Sequence, residues 1–208
     1  MVHFFAIAVL AAFTIYWEKR QPLIWHYFLK PLTTIGIILL ALNYGMPLDQ
    51  LYSQLIVLGL LFSLAGDIFL MLPKDRFIPG LVSFLVAQIL YAVAFIKFAN
   101  DYSALLAFPL IIYGFWMFYI LKPGLGKMVT PVLIYMLCIL VMVWAALNMW
   151  WDSGQTIAGY AAFGAVLFVI SDSLLAWNRF GHSRPYYRPL ILSSYFAAQF
   201  LIASSVIQ

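Results

Sequence analysis

Two aspartates, Asp67 and Asp172, interrupt long apolar stretches of a 208-residue chain that holds only seven acidic residues. The others fall between such stretches: Asp49, Asp75, Asp101 and Asp152 in connecting segments, and Glu18 at the start of one. A carboxylate in hydrocarbon is costly unless it is neutralised, paired or facing water, so an intramembrane acid marks a functional site by default. Two carboxyls sharing one poorly solvated pocket can hold a proton between them and supply an acid and a base together. Polar groups gather on the same side of the apolar runs: Lys30, Thr33 and Thr34; Ser63; Ser171 and Ser173; Ser193, Ser194, Tyr195 and Gln199. Individually, a Ser or Thr in such a run is read as an interhelical hydrogen bond. Lys30 either snorkels toward the headgroups or binds phosphate. Gln88 and Gln199 need partners, because a mid-membrane amide without them is penalised. His3, His26 and His182 fall at a terminus or between runs, and Cys138 stands alone. Neither a zinc site nor a Ser-His-Asp triad can therefore be assembled inside the apolar region.

The elements that carry these residues follow from composition. The chain is 66% hydrophobic and 9% charged, with a mean hydropathy of +1.01, against roughly 25% charged residues in soluble domains. That excludes a water-soluble fold. Eleven Lys and Arg against seven acids give only +4, and the bases are scattered, so nucleic acid is not a partner. Apolar runs at Val2–Trp17, Pro31–Met46, Leu51–Leu72, Pro79–Phe98, Ala104–Leu121, Val129–Trp150, Thr156–Trp177 and Pro189–Ile207 read as eight transmembrane helices. At about 20 residues per crossing they use up most of the chain, which makes 1–208 a single transmembrane domain. The first run lacks a basic leader and reads as a retained short span rather than a cleaved signal.

Ten of the eleven bases lie in the first, third, fifth and seventh connections, with Lys97 alone on the other side. The positive-inside rule makes those connections cytoplasmic and both termini external, in a multi-pass protein of the cell membrane. Pro31, Pro79, Pro131 and Pro189 are expected in the first turns of helices entering from the cytoplasmic side, where a missing N–H costs nothing. Pro109 is expected as an interior proline. Tyr and Trp near run ends read as interfacial anchors.

The two halves, about 1–100 and 101–208, are weakly alike. Ser63-Leu-Ala-Gly-Asp67-Ile-Phe-Leu resembles Phe168-Val-Ile-Ser-Asp172-Ser-Leu-Leu. Each is followed by a basic connection and a proline-led run carrying Ala87-Gln88 or Ala198-Gln199. Parallel four-helix pseudo-repeats would set the two aspartates at equal depth.

Several features together resemble the YhhN-like integral membrane proteins that include the lysoplasmalogenases. They are Lys30-Pro-Leu-Thr33, Gly66-Asp67, Tyr91, Ile170-Ser-Asp172 with Asn178-Arg-Phe180, then Pro185, Tyr187, Arg188 and Ser194-Tyr-Phe-Ala-Ala-Gln199. Many members carry His where this chain has Gln88, and bacterial relatives often carry His at the Gln199 position, which leaves those two sites a hydrogen-bonding or water-positioning role here. The resemblance implies hydrolysis of the vinyl ether of a lysoplasmalogen to a fatty aldehyde and a glycerophosphoethanolamine or glycerophosphocholine. One of Asp67 and Asp172 would donate a proton to carbon, and the other would steady the oxocarbenium-like cation and take a proton from water, by analogy with two-carboxylate glycoside hydrolysis, and no metal or organic cofactor is implied. Lys30 and Arg188 would hold the phosphate, with Thr33, Gln88, Tyr195 and Gln199 completing the substrate-binding set. Membrane-embedded acids in parallel repeats also describe a proton-coupled transporter or lysolipid carrier, which is the alternative expectation.

Overall fold

A chain with this many apolar residues between few glycines can satisfy its backbone in lipid only by closing hydrogen bonds within each segment. The computed structural model describes residues 2–17, 24–44, 51–72 and 74–207. Its described residues form eight α-helices: α1 (Val2–Trp17), α2 (Ile24–Tyr44), α3 (Leu51–Met71), α4 (Phe77–Phe98), α5 (Ala107–Leu125), α6 (Val129–Ser153), α7 (Thr156–Phe180) and α8 (Tyr187–Ser204). Single 3-10 turns, Ala104–Leu106 and Gly126–Met128, lead into α5 and α6. Gly154 ends α6 in a left-handed conformation and donates its N–H to the Trp150 carbonyl, a turn that glycine accommodates without strain. Lys19, Arg20, Glu18 and Asp49 lie outside the described residues.

Among the described residues, α3, α4, α7 and the stretch Ala104–Ser153, which contains α5 and α6, are long and apolar enough to cross a membrane; Phe5–Trp17 and Tyr27–Asn43 are shorter apolar helices. The protein is thus an all-α, multi-pass membrane protein. Pro79, Pro131 and Pro189 occupy the first turns of α4, α6 and α8. Two proline expectations are corrected. Pro109 sits in the first turn of α5 rather than in its interior. Pro31 lies inside α2, which starts at Ile24, so the helix runs through the proline and forgoes the one hydrogen bond that proline cannot donate. Lys30 therefore rides within a helix, one turn into the bundle, and is buried.

The core is continuous through most of the bundle, with Ile37, Ile56, Leu60, Tyr91, Phe95, Met142, Phe168 and Ile202 fully enclosed. Large side chains on α5, such as Phe108, Phe115 and Tyr119, point outward, as expected of a lipid-facing helix. The most extensive packing joins α3 to α4 and α7 to α8, followed by α4 to α6, α6 to α7, α1 to α2, α2 to α3, α2 to α8 and α5 to α6. Glycines permit the tightest of these approaches. A Cβ on Gly66 would stand 2.6 Å from the Phe84 ring. One on Gly164 would meet the Ala198 carbonyl oxygen at 2.9 Å, so α7 and α8 approach to backbone distance there.

Candidate active site

Asp67 sits one turn before the end of α3, fully buried. Lys30 of α2 brings its Nζ to 3.0 Å from Oδ1. Thr34, one turn further along α2, donates to Oδ2 at 2.8 Å, and Tyr195 of α8 donates to the same oxygen at 2.7 Å. The Lys30 ammonium also lies 5.8 Å from the centre of the Tyr195 ring. A buried carboxylate with a counter-cation and two hydroxyl donors has both oxygens engaged, the arrangement in which a buried charge is tolerated.

Asp172, on α7, is half-buried and differently surrounded. Tyr135 of α6 donates its hydroxyl to Oδ2, and Gln88 of α4 donates Nε2 to that oxygen at 3.3 Å. No cation pairs with Asp172 among the described residues, and no hydrogen bond reaches its Oδ1. The donors follow one rule on both sides. Each aspartate receives a hydroxyl from the second helix of its own half, α2 or α6, and a side-chain donor from the last helix of the opposite half, α8 or α4. The counter-cation exists on one side only.

Both carboxylates line one chamber of about 740 Å³. Its inner wall holds Asp67, Asp172, Tyr195 and Lys30, and its mouth is ringed by Asp75, Arg76, Arg179 and Arg188. Against it lies a narrow apolar slot of about 60 Å³ between α4, α5, α6 and α7, lined by side chains such as Met117, Leu121, Val132 and Ile139. The slot and the chamber share Leu70, Phe77, Phe84, Leu175 and Asp172. Asp172 thus stands where a polar compartment meets an apolar one.

Of the expected site residues, Lys30, Tyr195 and Arg188 line the chamber with the two aspartates. Gln88 stands behind Asp172, as its donor. Gln199 is fully buried and accepts from Tyr91 at 2.9 Å, so it supports the helix contact rather than lining the chamber. Thr33 turns away: its hydroxyl bonds the Leu29 carbonyl and Thr14 of α1, and Thr34 takes the place expected of it. The aspartates also differ in position. Four residues of α3 follow Asp67, whereas eight of α7 follow Asp172, about 6 and 12 Å of helix. Tyr135 was not expected. It is the seventh residue of α6, as Lys30 is of α2, so extending the internal repeat to the second helix of each half was the signal that could have found it. Among the described residues, no group of three His, Cys, Asp or Glu side chains is arranged to hold a metal ion.

Known proteins share sequence with this chain over most of its length. Lysoplasmalogenase TMEM86B of Homo sapiens is 34% identical over 157 residues, 76% of this chain and 65% of its own length. The match thus spans just under two thirds of that relative. Lysoplasmalogenase TMEM86A of Bos taurus is 33% identical over 189 residues, 86% of this chain and 75% of its own. The membrane protein YhhN of Escherichia coli O157:H7, itself uncharacterized, is 28% identical over 207 residues, 98% of this chain and 97% of its own. No solved structure matches the chain. The model of the YhhN family matches residues 25–206, a span that includes both aspartates, their donors and the whole chamber, and the chain belongs to that family.

Proposed function

We propose that the protein is a membrane-embedded hydrolase that cleaves the vinyl ether of a lysoplasmalogen, releasing a fatty aldehyde and a glycerophosphoethanolamine or glycerophosphocholine. The observation that carries this reading is the junction at Asp172, where a charged chamber containing two carboxyls meets an apolar slot. A single-chain lysolipid divides its polarity at the same point, with its labile bond between headgroup arm and tail. The relatives named as lysoplasmalogenases support the substrate class.

The chemistry requires a proton on carbon. Asp172, which has no counter-cation, donates its proton to the outer vinyl carbon, and the oxygen-bearing carbon becomes an oxocarbenium-like centre. Asp67, held as an anion by Lys30, Thr34 and Tyr195, faces that cation and stabilises it without moving. Water adds to the cationic carbon and returns a proton to Asp172. The resulting hemiacetal collapses to aldehyde and alcohol, with the same carboxyl shuttling the proton from the hydroxyl to the departing oxygen. Tyr135 and Gln88 fix Oδ2 of Asp172 and leave Oδ1 for the transfer. Lys30 and Arg188 attract the phosphate arm from the wall and mouth of the chamber.

The frame is read as one domain of eight crossings, two parallel four-helix pseudo-repeats with both termini external and the chamber opening on the cytoplasmic side. Equivalent packing of α1/α2 and α5/α6, α2/α3 and α6/α7, α3/α4 and α7/α8, and α2/α8 and α6/α4 supports the duplication. Nine bases in or beside the odd-numbered connections, with Lys30 buried in α2 and Lys97 on the other side, support the orientation. Purified protein mixed with an alkenyl lysophosphoethanolamine tests the function: aldehyde appearing with glycerophosphoethanolamine is expected, and intact substrate would refute it.

A further inference from the structure

The mouth of the chamber carries a charge pair that the hydrolytic scheme does not use. Asp75, in the connection between α3 and α4, and Arg179, in the last turn of α7, form an ion pair and both line the chamber. The pair is held in place. The other carboxylate oxygen of Asp75 accepts the backbone N–H of Phe77 at 3.2 Å. The Arg179 guanidinium lies 5.0 Å from the centre of the Phe77 ring, which packs edge-on against Phe180. Apart from the two buried aspartates, Asp75 is the one acid among the described residues lining the chamber, whose cations are Lys30, Arg76, Arg179 and Arg188. Arg179 lies seven residues beyond Asp172 on α7, which puts it on the same helix face roughly 10 Å nearer the mouth, about the reach of a phosphoglycerol arm.

A surface of anchored carboxylate beside anchored guanidinium is the mirror of a zwitterion. We propose that Asp75 and Arg179 form a head-group selector: the phosphate of an incoming lysolipid takes the Arg179 guanidinium, and the alkylammonium beyond it takes the Asp75 carboxylate. The exchange replaces one exposed ion pair with two complementary ones, so a phosphoethanolamine or phosphocholine head is accepted. A bare phosphate monoester must break the Asp75–Arg179 pair and leave the carboxylate beside its own negative charge. The Phe77 ring beside the pair presents a face that favours a quaternary ammonium as well. Arg179 holds the Asp75 carboxyl below the usual carboxylate range, aided by the Phe77 N–H, so the acceptor is an anion at neutral pH. This assignment rests on the hydrolase reading and adds to it the two residues that recognise the zwitterionic head group.

The test compares alkenyl lysophosphoethanolamine with the alkenyl glycerophosphate that lacks the amine, in the wild type, Asp75→Asn and Asp75→Glu. Asparagine keeps an oxygen for the Phe77 N–H and removes only the charge. Asp75→Asn is expected to raise KM for the amine-bearing lipid about fivefold, the upper range for one exposed charge pair, with kcat unchanged. KM for the amine-free lipid should fall or stay level, and Asp75→Glu should restore the wild-type preference. Equal effects on both lipids, or none, would overturn the selector. The same comparison by phosphorus NMR titration, using soluble glycerophosphoethanolamine and glycerol phosphate, reads discrimination without turnover. Discrimination without hydrolysis would refute the hydrolase alone, and hydrolysis without discrimination would refute the selector alone.

Discussion

Asp67 and Asp172 are the same residue type on one chamber, yet their neighbours divide them. Asp67 faces an ammonium at 3.0 Å and two hydroxyls, and Asp172 faces only neutral donors. The division predicts distinct failures. Asp172→Asn removes the proton donor and should lower kcat by about 10²–10⁴, the range for general acid catalysis. Tyr135→Phe keeps the ring in its apolar setting but leaves Oδ2 with Gln88 as its one remaining donor among the described residues. It should cost about tenfold or more in kcat, the worth of one hydrogen bond to an ionisable group, and displace the pH–rate profile while thermal stability stays near wild type. A drop in stability with an unmoved profile would make Tyr135 a packing residue. Lys30→Met should destabilise the folded protein, because it strands a fully buried carboxylate; breaking one side of such a pair costs about 3–5 kcal/mol. Thr33 and Thr34 show why the choice between neighbours was not legible beforehand. Adjacent residues on a helix point about 100° apart, and both hydroxyls suit the chamber until the position of α1 is known.

In the elements, apolar run length anticipates a helix for each run among the described residues, though not every boundary. What run length could not show was that α2 begins before Pro31, or that Tyr135, which among so many aromatics resembles an interfacial anchor, faces Asp172. Helix crossings were also hidden, since they depend on small residues whose partners lie far along the chain. Gly164 is one such case, where an added Cβ would stand 2.9 Å from the Ala198 carbonyl oxygen. Gly164→Leu should wedge α7 from α8 and cost about 1–3 kcal/mol or more, read as a lowered Tm. The rim pair makes a pH prediction. Asp75 has a folded-state carboxyl held below its ordinary range. Its charge, and the preference it confers, should therefore persist as pH falls through about 4 and fade only below that. The ratio of KM values for amine-bearing and amine-free lipids, followed against pH, checks this independently of the catalytic acid.

For the whole molecule, the account joins a polar chamber at one end of the bundle to a bilayer-filling apolar body. The enclosed core around Leu60, Tyr91, Phe95 and Met142 favours a one-ended vestibule over a through-path and so favours hydrolysis over transport. The proposed sidedness rests on the distribution of bases and can be read directly, because Cys138 is the single native thiol. In a Cys138→Ala background, Lys122→Cys should react with an impermeant maleimide only from the cytoplasmic face and Lys97→Cys only from outside. The reverse pattern would invert the topology.

Hydrolysis of a vinyl ether by Asp67 and Asp172 in one chamber is read by aldehyde release from an alkenyl lysophospholipid. The assay compares purified wild type with Asp67→Asn and Asp172→Asn, each confirmed as folded by circular dichroism and size exclusion. The account predicts stoichiometric aldehyde from the wild type and a loss of about a hundredfold or more in both variants. Near-wild-type turnover in either folded variant would contradict it.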